Sequence, residues 1–372
     1  MGSITETFTG TRMKQISKIV FIHSLNNYTG SPNVLSVVIK GLAARGYNID
    51  LITSRGEGFL SDIEGINYYY TCYRWLDNKW KTAFLMLFSQ LKLFFMILFS
   101  RNSGVIYYLN TITPFAAAWA CRLSNKNFFY HVHENMQQEK QVYVLFRWSY
   151  KHCNRKSIFV SHYLKTTAIN CRDGIVVYNA LHPDFIAKAK HYVSSGADKK
   201  QTILMVASLR KFKGIYEFVE IAKKMPQYLF ELVLSETKAA VEHFTIEAEI
   251  PDNLKVYSTQ NNLHPFYRRA KLLLSLSHPE ACIETFGLSI LEAMVYGVPA
   301  IVPNVGGPTE LIEDGVNGYH ANPHDLPDII SKIETLMQND KKYQAFSLNA
   351  LEKSKQFNEE IMINEIENYL LK

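Results

Sequence analysis

Two α/β domains in tandem, each a doubly wound parallel sheet, are what the sequence predicts. Three observations carry that expectation. Short, continuous β-branched or apolar runs alternate with helical patterns along the chain, as strands buried on both faces between crossover helices require. The alternation breaks once, at Asn179-Ala180-Leu181-His182-Pro183. The charge changes sign there: residues 1–180 carry 20 Lys/Arg against 9 Asp/Glu, and residues 181–372 carry 20 against 25. A chain of 372 residues, 47% apolar and 20% charged, suffices for two such domains with buried cores.

Residues 1–12, MGSITETFTGTR, read as an added leader with Met13 as the expected start, and no secretory signal is expected. Lys18–His23 is the first strand. A turn with Gly30 and Pro32 leads into a helix over Val34–Arg45, closed by Gly46, and then a strand over Ile49–Thr53. Thr82–Ser100 is the most apolar stretch. It is read first as a helix packed on a sheet, with an interfacial helix and a membrane span as alternatives; Lys92 in its middle would be expensive in lipid. Val105–Leu109, Phe128–Val132, Ser157–Ser161 and Gly174–Tyr178 complete the first strand set, giving a domain over 13–180.

The second domain, 181–357, opens with strand Thr202–Val206, a loop with Gly214 and a helix over Ile215–Lys224. Strands follow at Phe230–Leu234, Leu254–Tyr257, Leu272–Leu276 and Ala300–Val302. A last helix, within 358–372, is expected to cross back to the first domain. Ligands of such Rossmann-like units bind beyond the carboxyl ends of the strands, so two units facing each other enclose a cleft there.

Several function classes lack their residues. Five cysteines with no C-x-x-C pair argue against a disulfide scaffold or a cysteine zinc site and favour a reducing cytoplasm. No Asp-x-Asp occurs, which removes one common way of holding a metal-bound nucleoside diphosphate. A nicotinamide oxidoreductase would need G-x-G-x-x-G after the first strand, and Thr29-Gly30-Ser31-Pro32 stands there instead. No basic–aromatic module for nucleic acid is present. The basic first half fits an anionic membrane surface or a phosphorylated acceptor.

The densest chemical signal is His278–Gly318. Two helices are expected to open there toward one point, their free N–H groups favouring a diphosphate. Gly287, Gly306 and Gly307 are read as places where a ligand touches backbone. Glu292 can accept two hydrogen bonds from a ribose diol, and Glu284 can meet sugar hydroxyls; the alternative is a pair of solvated helix carboxylates. Lys213 and Arg210, on a loop after a strand, can neutralise a departing diphosphate, or form a basic surface turn. His131 and His133 alternate to one side of a strand end. They fit packed or capping histidines, or a metal pair for which no third ligand stands out. The loop at Gly30 and Ser31 is a ligand-facing turn or a plain βα turn. His23 is read as a packed histidine.

The run E-T-F-G-L-S-I-L-E-A-M-V-Y-G-V-P-A-I-V-P-N-V-G-G-P-T-E-L-I resembles the C-terminal signature of the retaining GT-B glycosyltransferases of family four, the glycosyl transferases group 1. The resemblance covers the chain from Met13 and is sharp in the C-terminal half. It implies a nucleotide sugar on the second domain and an acceptor on the first. It puts Glu284 on donor-sugar hydroxyls and Glu292 on the ribose. Backbone around Phe286, Gly287 and Leu288 would meet sugar and phosphates. Lys213 would lie on the diphosphate, His133 near the reacting carbon, and Gly30 beside acceptor and diphosphate. The family's usual Gly-Arg is Ala207-Ser208 here, so Arg210 is a substitute from two residues later. Ser161 and Asn179 match strand-end positions without an assigned role. The implied activity is metal-independent transfer from a UDP-sugar to a saccharide acceptor, polyprenyl-diphosphate-linked, in bacterial surface polysaccharide synthesis at the inner face of the cell membrane. No cofactor is implied. A non-catalytic nucleotide-sugar-binding protein of the same fold is the second rival; it predicts loss of Glu284 or Lys213, and both are present.

Overall fold

The computed structural model describes residues 16–371 except 77, 101–103, 137–140, 155, 170, 172 and 195–201. The leader and Met13 lie outside the described residues. The first domain is built on strands β1 (Lys18–Ile22), β2 (Ile49–Ser54), β3 (Asn67–Thr71), β4 (Val105–Asn110), β5 (Asn127–Val132), β6 (Lys156–Phe159) and β7 (Asp173–Val176). They form one seven-stranded sheet in the order β3-β2-β1-β4-β5-β6-β7, parallel throughout. The second domain uses β8 (Thr202–Ala207), β9 (Leu229–Leu234), β10 (Leu254–Tyr257), β11 (Ala270–Leu274), β12 (Ala300–Pro303) and β13 (Gly318–Ala321), in the parallel order β10-β9-β8-β11-β12-β13. Both orders reverse direction beside the first strand of the domain, and the cleft opens at the carboxyl ends there.

Sequence patterning missed two strands, both at sheet edges. β3 reads NYYYT and is largely exposed, so it lacks a continuous apolar run; β13 has four residues and only its two ends are buried. The central strands are apolar and buried almost throughout, which is why they were legible.

The chain crosses between domains twice, and aromatic rings pack at the crossings. Tyr178 lies 5.2 Å from Phe357 and 6.2 Å from Phe286, ring centre to ring centre. After the second crossing the helix Glu359–Leu371 lies on the first domain. Its Met362, Ile363 and Ile366 share a core with Phe21, Val38 and Ile39. Tyr369 Oη accepts from Ser157 N at 3.0 Å and donates to Asp173 O at 2.9 Å, pinning β6 and β7.

The helix Lys79–Leu98 packs on the first domain as expected, but through one face only, and leaves much of its apolar surface outside. Leu93 and Ile97 do enter the core, but Ser89 and Gln90 lie on the same buried face. Gln90 donates to Thr113 O and accepts from Ala116 N, which fastens the helix to Phe115–Leu123. Several large apolar side chains point outward: Trp80 is 86% exposed, Phe84 67%, Leu87 58% and Phe99 72%. The inward side needs groups that satisfy neighbouring backbone, so the inside-out pattern follows from tertiary hydrogen bonds that no periodicity reveals. The helix is long and apolar enough to cross a membrane, yet its inner face is fixed to the domain.

Candidate active site

Two adjoining chambers, about 720 and 470 Å³, lie in the cleft and share Tyr28, Gly30, Ser235 and Leu288 in their walls. The deeper one brings together His133 and Glu134 from the first domain with Lys213, Glu284 and Gly287 from the second. The wider one holds Glu292 and the loop Thr259–Asn261.

Glu292 sits on the helix Leu288–Met294, where Tyr267 Oη donates to its Oε2 at 2.6 Å. Burial without a cation raises its carboxyl to about 7, with the Tyr267 hydrogen bond working the other way. Tyr267 is fully buried, so one carboxylate oxygen is fixed and the group is aimed into the wider chamber. Gly287, at φ +105°, begins this helix; a Cβ there would meet Ile290 Cδ1 at 2.7 Å. The first-turn N–H groups of a helix have no partner within it, and Gly287 and Leu288 border the deeper chamber. Phe286 borders it too, its ring held among Tyr178 and Phe357.

Lys213 is held by a 3-10 turn, Lys211–Lys213, that ends at Gly214 with φ +76°. A Cβ on Gly214 would stand 2.2 Å from Leu276 O, so only glycine lets this turn lie against the segment after β11. Lys213 Nζ reaches Glu284 Oε2 at 2.5 Å. Arg210 stands apart from this group. It is exposed, precedes the turn that carries Lys213 inward, and lines neither chamber; Ser208 borders the deeper one instead.

The glycine pair Gly306-Gly307 is a correction. Neither lines a chamber. A Cβ on Gly306 would meet Glu284 O at 2.5 Å, and one on Gly307 would meet Thr285 O at 2.2 Å. Protein backbone fills the space read as a ligand's, and Gly307 N donates to Glu284 O at 2.9 Å. The second helix, Pro308–Leu311, has only four residues and its start does not face the cleft. Its Glu310 instead accepts from His162 N, Tyr163 N and Tyr178 Oη of the first domain at 2.9, 2.7 and 2.8 Å.

On the first domain, His133 Nε2 donates to Asn110 Oδ1 at 3.0 Å, and Asn110 Nδ2 donates to His23 Nδ1 at 3.0 Å. Burial, reinforced by the neighbouring His131 and His23, holds His133 well below the usual histidine range. It is therefore neutral, with Nε2 protonated. His131 is fully buried behind it, its Nδ1 2.6 Å from Tyr108 Oη, and does not line the cleft. His23 is likewise buried, at a pKa of about 4. Gly30 begins the helix Gly30–Ala44, where an added Cβ would lie 3.2 Å from Leu288 Cδ1 across the cleft; Ser31 also borders the deeper chamber. Ser161 caps a helix through Leu164 N, whereas Asn179 lines the deeper chamber with its Oδ1 buried and unbonded.

Sequence reasoning missed Glu134, Asn110, Tyr267 and Glu310. Glu134 stands in the deeper chamber, raised to about 7 by burial, and its Oε2 accepts from Ile112 N and His133 N. Its position beside His133 at a strand end was the available signal. Tyr267 and Asn110 act through distant partners and gave none.

Residues 188–353 match the family model of glycosyl transferases group 1. A sucrose synthase of Thermosynechococcus vestitus is 29% identical over 162 residues, 38% of this chain and 20% of that protein, so the chain spans about a fifth of that relative's length. The fold is that of the GT-B glycosyltransferases. HepE of Anabaena, crystallised with UDP and glucose, superposes with a TM-score of 0.76 at 19% identity, over 95% of this chain and 99% of that one. WaaG, a glycosyltransferase of lipopolysaccharide biosynthesis, gives 0.71 at 14% identity, over 94% and 98%.

Proposed function

We propose that this chain is a retaining glycosyltransferase that moves a hexosyl or N-acetylhexosaminyl group from a UDP-sugar to a saccharide acceptor. One observation carries the reading: a continuous cleft with a ribose-type carboxylate, Glu292, in one chamber and Lys213, Glu284 and His133 gathered in the next. Uridine would lie against Thr259–Asn261, the ribose diol on Glu292, and the diphosphate beside Lys213 and the N–H groups at Gly287–Leu288. Departure of the diphosphate is assisted by the lysine cation, which spreads the developing charge. Glu284 orients the sugar through its hydroxyls, and neutral His133 places its ring at the reacting side without repelling an oxocarbenium-like centre. The acceptor hydroxyl then attacks from the face the diphosphate leaves, and the departing phosphate takes its proton. Donor binding uses Lys213 in place of a metal, in line with the missing Asp-x-Asp. Complexes of HepE with UDP and glucose support the donor class.

The acceptor is a polyprenyl-diphosphate-linked saccharide, and the enzyme works at the cytoplasmic face of the membrane in surface polysaccharide assembly. The outward apolar face of Lys79–Leu98 supports this reading, as does the fold shared with WaaG. A thermal-shift screen of UDP-, GDP- and ADP-sugars tests the donor, because a ligand of the folded state raises Tm by mass action. UDP-sugars are expected to give the largest shift with no divalent ion added. A shift confined to GDP- or ADP-sugars, or one that appears only with added Mg²⁺, overturns the respective part. Proton NMR of the product's anomeric centre tests retention.

A further inference from the structure

Behind the catalytic turn, outside both chambers, three side chains from separate segments converge. They are Glu217 on the helix Ile215–Lys224, His278 in the segment after β11, and His324 in the segment after β13. One potential ligand atom from each lies within 4.8 Å of the other two. His278 Nε2 approaches Glu217 Oε1 to 3.0 Å, but off the angle a hydrogen bond needs. His278 Nε2 and Glu217 Oε2 are both buried without a hydrogen-bond partner. Orphaned polar atoms of this kind are costly unless something absent from the protein chain satisfies them. His324 Nε2 is 2.7 Å from Glu280 Oε1, which orients its ring and leaves the other ring nitrogen free to ligate.

We propose that Glu217, His278 and His324 form a binding site for a divalent transition ion of the zinc class, which locks the catalytic turn from behind. The donor set decides the metal. Two imidazoles and one carboxylate suit Zn²⁺, whereas Mg²⁺ prefers oxygen ligands and its own waters. Tetrahedral ligands about 2.0–2.1 Å from zinc stand about 3.3 Å apart. The Glu217–His278 approach already has that scale, and His324, about half exposed, needs only a small swing to close the triangle. Glu280 supplies the outer carboxylate that commonly orients a metal-bound imidazole.

The site's place in the fold gives the ion its role. Glu217 lies four residues after Lys213, and His278 six residues before Glu284. His278 N donates to Phe212 O at 2.8 Å, inside the turn that presents Lys213. A bound ion ties both segments, and the one after β13, to a single centre. It touches neither donor nor acceptor, so it is a positioning element and does not alter the metal-free donor chemistry proposed above.

The test uses the full chain, stripped of metal, reduced and titrated with Zn²⁺ or Co²⁺ alone. One equivalent per chain is expected. The visible Co²⁺ spectrum should be that of a four-coordinate site without a thiolate charge-transfer band, and Zn²⁺ should raise Tm. Glu217→Gln and His324→Ala should each weaken binding at least about tenfold, the scale of even an outer-shell loss, and abolish the Tm gain. His324 lies on an exposed loop, so its variant is expected to fold, and its metal-free Tm should equal that of wild type. Absence of stoichiometric binding, a thiolate band, or equal affinity in wild type and both variants would overturn the assignment. Because metal and Tm are read, and not transfer, failure here leaves the glycosyltransferase reading untouched.

Discussion

Lys213 Nζ and Glu284 Oε2 stand 2.5 Å apart, so the cation and the carboxylate that line the same chamber hold each other in the unliganded protein. Burial, the largest single influence, opposes the charge on Lys213. The charge and hydrogen bond of Glu284 together outweigh it and leave the lysine pKa raised. On the proposed function a donor would replace this pair, phosphate taking the lysine and hydroxyls the carboxylate. Lys213→Ala is expected to lower kcat by roughly 10²–10³. The Lys213→Ala/Glu284→Ala double variant should lose less than the product of the single losses, because each single change strands a buried charge. Steady-state kinetics on the four proteins measures this; independent losses would show that the pair is not coupled in turnover.

Glu292 should make nucleotide binding depend on pH. Its carboxyl is raised to about 7 in the free protein, and ribose hydroxyls donating to it favour the charged form. The bound pKa is then lower than the free one. UDP binding therefore releases protons near neutrality, and affinity from this group rises with pH up to about 7 and levels off above it. Calorimetry in buffers of different ionisation enthalpy reads the protons, and Glu292→Gln removes this component while leaving that of UDP itself. Glu292→Ala should weaken UDP roughly ten- to a hundredfold, the worth of a charge-assisted hydrogen bond.

Gly307 tests the corrected role of the glycine pair. Gly307→Ala places a methyl 2.2 Å from Thr285 O, in backbone that cannot swing aside. The expected cost is about 1–3 kcal/mol, or roughly 1 °C in Tm per kcal/mol for a chain of this size. kcat should fall as well, since Glu284 rides on the displaced segment. Unchanged Tm with weakened UDP binding would restore the ligand-facing reading.

Glu310 clasps the domains through three hydrogen bonds to the first one. Glu310→Ala should lower Tm and enlarge the radius of gyration of the unliganded protein in small-angle scattering. UDP should reduce the radius in both proteins as the cleft closes about the link at Asn179–Pro183. An identical radius in wild type and variant, with and without UDP, would rule out both the clasp and the closure.

The outward face of Lys79–Leu98, with Lys79, Lys81 and Lys92 on it, should bind anionic vesicles and release them with salt. Trp80→Asp and Phe84→Asp, both at exposed positions, should keep the fold and abolish co-sedimentation. Equal recovery in the supernatant with anionic and neutral vesicles at low salt would remove the membrane reading and the lipid-linked acceptor with it.

The sequence by itself determined the two parallel-sheet units and the break between them. Strands buried on both faces need continuous apolar runs, and Ile19–Ile22, Val105–Leu109, Ile203–Ala207 and Leu272–Leu274 supply them within β1, β4, β8 and β11. It also marked Lys213, Glu284, Glu292, Gly287 and His133, because each follows a strand whose carboxyl end faces the cleft. Tertiary structure alone decided what surrounds them. A glycine shows that a side chain is missing but not what takes its space, and at Gly306 and Gly307 that is the backbone of Glu284 and Thr285. An Arg three residues before a Lys, as Arg210 is before Lys213, has no fixed direction until a 3-10 turn sends one inward and the other out. An apolar helix does not reveal which face it buries when Gln90 is needed inside to satisfy Thr113 and Ala116. Contacts between residues more than a hundred positions apart, such as Glu310 with His162 and Tyr178, leave no local pattern because only the packed chain brings them together.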